Sequence, residues 1–276
     1  MTPVRRLTSK TAFAITVVFV LFSFETARAA SRIEVKYLVT YLHVTVGSGQ
    51  WNLALDRDHY TTDVTGRIAG MMTWLINGDG SGRAEGHIIH GSLQPERFVA
   101  HVASSAENDD VTISFQNGVI RDVQAFPPFP AVPKRVPITP ELLAGASDPL
   151  SVAFVLSNRE SGAGPCEKQL QVFDGRRRYD AKFQFKRSEK VSIGPNYSGT
   201  SLVCSVHLIP IAGQLAEGSV TKFLAENKYD IEIEYTYIDE AQAFVPIAAT
   251  IPTLVGTLHI NAQLITSRTS DIENAR

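Results

Sequence analysis

The chain has 276 residues, 44% of them hydrophobic, with 26 Lys and Arg against 28 Asp and Glu. A net charge of −2 provides no general attraction for nucleic acid, whose recognition starts from a basic surface. The length suits one large β domain or two small ones.

Residues 1–29 read as an export signal. Arg5, Arg6 and Lys10 form a basic n-region, and Thr11 to Phe24 is an uncharged apolar stretch, short for a membrane span. Ala27-Arg28-Ala29 supplies the small-x-small pattern of a cleavage site, which places the mature start at Ala30. An uncleaved anchor is the rival reading. Arg5-Arg6 points to twin-arginine export, but its surroundings match that signal poorly, and no Cys near Ala30 marks a lipoprotein. Cleavage removes four cations and one anion, leaving 22 against 27, a net −5. No later segment approaches membrane-span length, so the expectation is an exported, periplasmic protein with no membrane span after cleavage.

Period-two alternation follows. Ile33–Val46 alternates apolar with polar residues, and Gly47-Ser48-Gly49 reads as a turn before Trp51, Leu53 and Leu55, which share a face. Further strands are expected at Tyr60–Ile68, Gly86–Ile89, Arg97–Ala103, Val111–Phe115 and Val119–Val123, the last two separated by Asn117-Gly118. Phe126 to Pro140 holds six of the fourteen prolines and cannot join a sheet ladder. It reads as a crossover between two halves of one sheet, with a domain linker or a peptide-recognition motif as alternatives. Thr139-Pro140-Glu141 and Asp148-Pro149 then carry helix-start signals. Residues 149–157, apolar on nearly every side, predict a short buried helix.

The second half brings strands at Lys168–Phe173, Arg176–Lys186, Leu202–Leu208, Tyr229–Ile238 and Thr257–Ile265, with a helix from Ser219 to Asn227. Helices do not alternate with strands, which excludes a parallel α/β fold. The expected fold is mainly β: a strongly curved antiparallel sheet, an unclosed barrel or β-spiral, wrapped around that short helix. One β-rich domain would cover residues 30–266, followed by a flexible tail over 267–276.

The two cysteines, Cys166 and Cys204, form an even pair in an oxidising compartment and read as a disulfide. It closes a loop of about 39 residues, worth about 4 kcal/mol in the chain-entropy model. Between them, Asp174-Gly175 signals a two-residue hairpin that sets Val172 opposite Arg177 and Leu170 opposite Tyr179. Arg177, Tyr179, Phe183 and Phe185 then share an inward face with Cys166, Leu170 and Val172, while Arg176 and Arg178 face solvent. Arg177 either snorkels into water, anchors a lipid head group or fatty-acid carboxylate at the rim of a concavity, or meets a protein partner.

Signals for chemistry are weak. Residues 77–88 imitate the first half of a calcium loop, but Ile88 stands where a bidentate Glu is required, so a Gly-rich hairpin loop is the better reading. His87 and His90 lie on opposite faces of a strand, so no metal site is expected. Glu232 and Glu234 form a carboxylate pair on one strand face, read as a solvated edge rather than a catalytic dyad. No nucleophile elbow, phosphate loop or cofactor motif occurs, and no enzyme activity is expected.

The stretches "DPLS" (148–151), "FDGRRRYD" (173–180) and "GMMTWL" (70–75), with the signal peptide and the cysteine placement, resemble domain-of-unknown-function family 3108 of proteobacterial exported proteins. The resemblance implies a periplasmic β-rich fold and carries no catalytic residues. At longer range the layout is similar to the LolA/LolB group, an unclosed half-barrel that folds around an internal helix and holds lipoprotein acyl chains. It is also similar to the disulfide-stapled β-spiral proteins of envelope maintenance. The functional expectation is a non-catalytic envelope protein that binds an apolar ligand or acyl chain, from a lipid or lipoprotein. Trp51, Tyr179 and Phe183 would line the site and Arg177 would anchor at its rim. The alternative is an interaction scaffold that binds another envelope protein.

Overall fold

The computed structural model describes residues 30–68, 78–104, 108–128, 132–157, 164–225 and 231–270. Seven strands come before the proline-rich crossover: β1 (Ala30–Tyr41), β2 (Val44–Leu55), β3 (His59–Ile68), β4 (Gly78–Ile89), β5 (Ser92–Ser104), β6 (Asn108–Gln116) and β7 (Val119–Phe126). Seven come after it: β8 (Val155–Leu156), β9 (Gln169–Phe173), β10 (Arg178–Ile193), β11 (Tyr197–Ala212), β12 (Ile231–Ile238), β13 (Ala243–Thr253) and β14 (Gly256–Ser270). Among the described residues the helices are two short ones, α1 (Pro140–Leu143) and α2 (Ser219–Ala225), with a 3₁₀ turn at Asp239–Ala241.

All strands belong to one antiparallel sheet, in the order β7-β6-β5-β4-β3-β2-β1-β14-β13-β12-β11-β10-β9, with β8 paired off this path to β13. Two meanders are therefore joined through one seam, where β1 pairs with β14 from Ala30↔Ser270 to Tyr41↔Leu258. The sheet does not close into a barrel. It curls until its ends approach: the loop between β9 and β10 packs on β6, with Phe173 buried beside Phe98, Val111 and Ile113.

Alternation explains the inner face. Ile33 and Val35, Trp51, Leu53 and Leu55, Val245 and Ile247, and Ile265 are all buried in one cluster across four strands. An open antiparallel sheet needs a cover for such a face. The cover is a strap from Ala146 to Leu156, and here the helix expected at 149–157 is corrected. Residues 149–152 are turns, and Val155–Leu156 leaves them as β8 to pair with Ala243 and Phe244. The helix gives way because the next residues are recruited to a strand, a tertiary pairing that overrides local apolar pattern. The place expected for the helix is filled by Phe154, buried against Trp51 and Tyr60 at ring separations of 6.1 and 5.8 Å.

Other boundaries differ for physical reasons. β1 ends at Tyr41, and Leu42-His43 makes the turn with both φ angles positive (48° and 66°), a conformation their side chains do not advertise. Gly47-Ser48-Gly49 lies inside β2, and the Gly-rich run expected as a loop at 77–88 lies almost wholly inside β4. β13 was not expected at all, because Pro246 and Pro252 interrupt its pattern. Residues 267–270, read as tail, pair with β1 from Ile33 back to Ala30. "GMMTWL" at 70–75 lies outside the described residues.

Cys166 and Cys204 are buried and joined, tying the segment before β9 to β11. The sequence separation is 38. Replacing both cysteines by Ala is expected to cost about 3–4 kcal/mol by loop-closure entropy. Urea denaturation of the variant and of the oxidised wild type checks this, and an unchanged midpoint would contradict it.

Candidate functional site

The inner face of the sheet has a stretch without side chains. Strand pairing sets Tyr37 beside Gly49, Gly49 beside Gly66, Gly66 beside Gly80, and Gly80 beside Val102, one row across five strands. A Cβ placed on Gly66 would meet only the Ser48 carbonyl oxygen, at 3.8 Å, and one on Gly49 only that of Thr65, at 3.2 Å. The space over these glycines is therefore open, not filled by a neighbouring element.

The opening is a hollow of about 550 Å³. Its walls are Val39, Val46 and Ile68 on one side and Ala248, Leu258 and Ile260 on the other, with Trp51, Leu150 and Ala153 at its base. The polar tips at its edge are already satisfied. Tyr37 Oη donates to the Pro246 carbonyl at 2.7 Å, and Trp51 Nε1 donates to Thr62 Oγ1 at 2.7 Å. Burial, with a smaller contribution from Tyr235, pushes the Tyr37 phenol far above its ordinary value, so it stays neutral. Arg67 reaches the margin, and on the opposite face by alternation a polar hollow is bordered by Lys36, Gln50, Arg67 and Asp79.

Of the four side chains expected to bind ligand, only Trp51 belongs to this hollow. Arg177 and Tyr179 border a separate hollow of about 490 Å³, beside Leu208, Pro210 and the start of α2. Phe183 is buried in the cluster around the disulfide, with Lys168 Nζ 4.9 Å above its ring. Burial lowers the Lys168 ammonium to about 8.

The arginines also exchange roles. Phe173 pairs with Arg178, not Arg176, so the connection is a four-residue loop and Tyr179 faces Val172. The carboxylate of Asp174 organises that loop, accepting from the backbone amides of Arg176 (2.8 Å) and Arg177 (2.6 Å). Gly175 lies so close to Val111 that a Cβ would come within 2.2 Å of its Cγ1. The register shift is two residues, so strand parity survives while the arginines do not keep their expected places. Arg178 is buried, donating to the Leu142 carbonyl (2.9 Å) and to Asp180 (2.5 Å). Arg176 donates to Asp109 on β6 and to the Pro127 carbonyl. Arg177 is the exposed one, and Phe185, expected inside, is 53% exposed next to a bulge.

The carboxylates weighed as a pair are occupied. Desolvation opposes ionisation of Glu232, but Lys186 (2.7 Å) and Arg187 (2.9 Å) hold its carboxyl below the ordinary value. Glu234 accepts from Ser201 Oγ. Among the described residues no group of three or more His, Cys, Asp or Glu is placed to hold a metal ion.

The family model described as "Protein of unknown function (DUF3108)" matches residues 36–264. The chain belongs to the DUF3108 family. Its match spans the seam, both meanders and the strap. No curated protein matches. Among solved structures, a β-barrel-like protein of domain of unknown function DUF1849 from Brucella abortus is similar at 11% identity, with a TM-score of 0.49, covering 88% of this chain and 98% of that one.

In this DUF3108 chain the strap that floors the hollow is held by a buried acid. Asp148 is fully buried, and its Oδ1 accepts from the amides of Leu150 (3.0 Å) and Ser151 (2.8 Å). Ser151 Oγ in turn bonds Tyr60 Oη on β3 at 2.6 Å. Desolvation raises the Asp148 carboxyl, outweighing the lowering effect of its hydrogen bonds. A folded value above the unfolded one of about 3.9 makes its contribution to stability complete below that pH and lost as pH rises through the folded value. Asp148→Asn keeps the acceptor and removes the titration. Its thermal midpoint is therefore expected to fall less than that of wild type between pH 4 and pH 7. Parallel pH profiles of the two chains would refute this assignment.

Proposed function

We propose that this DUF3108 protein is a non-catalytic envelope protein that holds an apolar ligand, a lipid or lipoprotein acyl chain, in the hollow between β1–β3 and β13–β14. The carrying observation is the hollow itself: about 550 Å³, walled by aliphatic side chains and cleared by glycines at paired positions of two strands, Gly49 and Gly66. That volume lies within the range of sites that enclose small molecules, roughly 300–1,000 Å³. The edge polar groups Tyr37 and Trp51 are turned to internal partners, which suits a hydrocarbon and offers little to a polar substrate. Among the described residues, the titratable side chains bordering it are Tyr37 and Arg67, which is poor equipment for acid–base catalysis.

Export to the periplasm, with cleavage after Ala29, accords with the signal pattern of residues 1–29 and with a disulfide. Among the described residues no helix is long and apolar enough to cross a membrane. A scaffold role is the second reading. It draws on β7, an edge strand that exposes Val119 and Phe126 and, among the described residues, has a strand partner on one side only.

Gly66→Leu tests the hollow. Its backbone is not in the left-handed region and the added Cβ meets no clash, so the side chain fills the hollow while the sheet persists. Native mass spectrometry of the wild type is expected to show bound lipid or fatty acid, and Gly66→Leu is expected to lose it at an unchanged thermal midpoint. Wild type repeatedly free of any such molecule would refute the reading and favour the scaffold.

A further inference from the structure

The seam of the sheet ends in a greasy tip. From Tyr37 to Leu55, and again from Ala241 to Ser267, the sequence has no Asp, Glu, Lys or Arg. Those two segments form the β1–β2 and β13–β14 hairpins, whose strands lie side by side through the β1–β14 pairing. Their turns touch: a Cβ on Gly256 would sit 2.8 Å from Leu42 Cδ2 and 3.0 Å from Tyr41 Oη. Leu42, Val44, Leu254 and Val255 are nevertheless exposed there, Val255 to 79%.

Four large apolar side chains on two abutting turns form a contiguous patch, unlike the single exposed apolar residues found on any surface. We propose that this tip docks on a lipid bilayer, with Leu42, Val44, Leu254 and Val255 entering the head-group and acyl boundary. Three features favour lipid over a protein partner. The patch caps the turns of paired strands, so it offers no free strand edge for β-addition. Hairpin turns are projections, which penetrate a fluid surface without needing a matching pocket. The surrounding segments have no formal charge to desolvate on contact and none to specify a protein partner. Tyr41 stands behind the tip, where an amphipathic ring suits the interface.

The patch is continuous with the hollow. Tyr41 pairs with Leu258, and one row further in Val39 pairs with Ile260; Val39, Leu258 and Ile260 all line the hollow. On the reading of the hollow as an acyl-chain site, a chain would pass from the bilayer to its binding place along apolar side chains. The docking itself does not depend on that reading.

The test uses vesicles of neutral phosphatidylcholine brominated in the acyl chains. Val255→Trp is expected to shift its emission to the blue and to be quenched on vesicle addition, in low and high salt alike. Val119→Trp, at an exposed apolar position on the far edge strand, is expected to stay unquenched. The double variant Leu254→Ser/Val255→Ser is expected to partition onto vesicles about tenfold more weakly or worse. Both readouts compare chains with identical residues 1–29, so the apolar stretch there does not produce the difference. An unquenched Val255→Trp under excess lipid, or a double variant that partitions like wild type, overturns the proposal. Uptake of detergent-dispersed fatty acid, measured on the same chains, separates the two readings. The double Ser variant retains uptake when only docking is lost, whereas failure of the hollow appears as no uptake by any chain, wild type included.

Discussion

A curved antiparallel sheet that stops short of closing has one apolar face to hide, and most of this molecule is arranged around hiding it. The strap from Ala146 to Leu156 does so at both of its ends and in its middle. It begins against β9, where Ser147 exchanges backbone hydrogen bonds with Gln171 and Phe173, and it ends paired with β13. In between, Asp148 caps the turn, Ser151 meets Tyr60, and Phe154 fills the space above Trp51. Burying a phenylalanine is worth about 2–3 kcal/mol, while a buried carboxyl costs energy whenever it ionises. The strap is thus anchored by hydrocarbon and positioned by an acid that burial holds toward its neutral form.

The strap covers the face unevenly, and that unevenness gives the site. Leu150 reaches Gly82, within 3.1 Å of where a Cβ would stand, but nothing reaches Gly66 or the inner side of Gly49 beyond adjoining backbone. Larger residues at these positions would have completed the core. Glycine in a strand interior costs stability and usually marks a close approach of something else. No other part of the described chain makes that approach.

These same glycines explain what was legible in the sequence. Period-two alternation identified most strands and the antiparallel class, and the exported even cysteine pair identified the disulfide, because those signals are local or binary. Gly47, Gly49 and the run from Gly78 to Gly82 were read as turns, since local sequence does not distinguish a glycine that bends the chain from one that clears a face. Register decides, and register is a property of two strands. The arginines failed likewise. Asp174-Gly175 correctly marked the hairpin, but the loop length was set by the Asp174 carboxylate and by contact with Val111, both invisible in a dipeptide. Trp51 was expected on the inward face because it opens an alternating run, and it is buried at the border of the hollow. Val39, Leu258 and Ile260 were not singled out, because their role comes from a seam joining residues more than two hundred positions apart.

That seam also orders the charges. Arg176 with Asp109, Arg178 with Asp180, and Glu232 with Lys186 and Arg187 all lie on strands or loops away from β2, β13 and β14. Arg176 with Asp109 draws the free ends of the sheet together, and the other pairs brace the second meander. The segments Tyr37–Leu55 and Ala241–Ser267 carry no Asp, Glu, Lys or Arg, and between them the hollow opens. Its walls come from the first three strands and the last two, brought side by side by the β1–β14 pairing. A chain that has not completed the β1–β14 pairing has no hollow to offer.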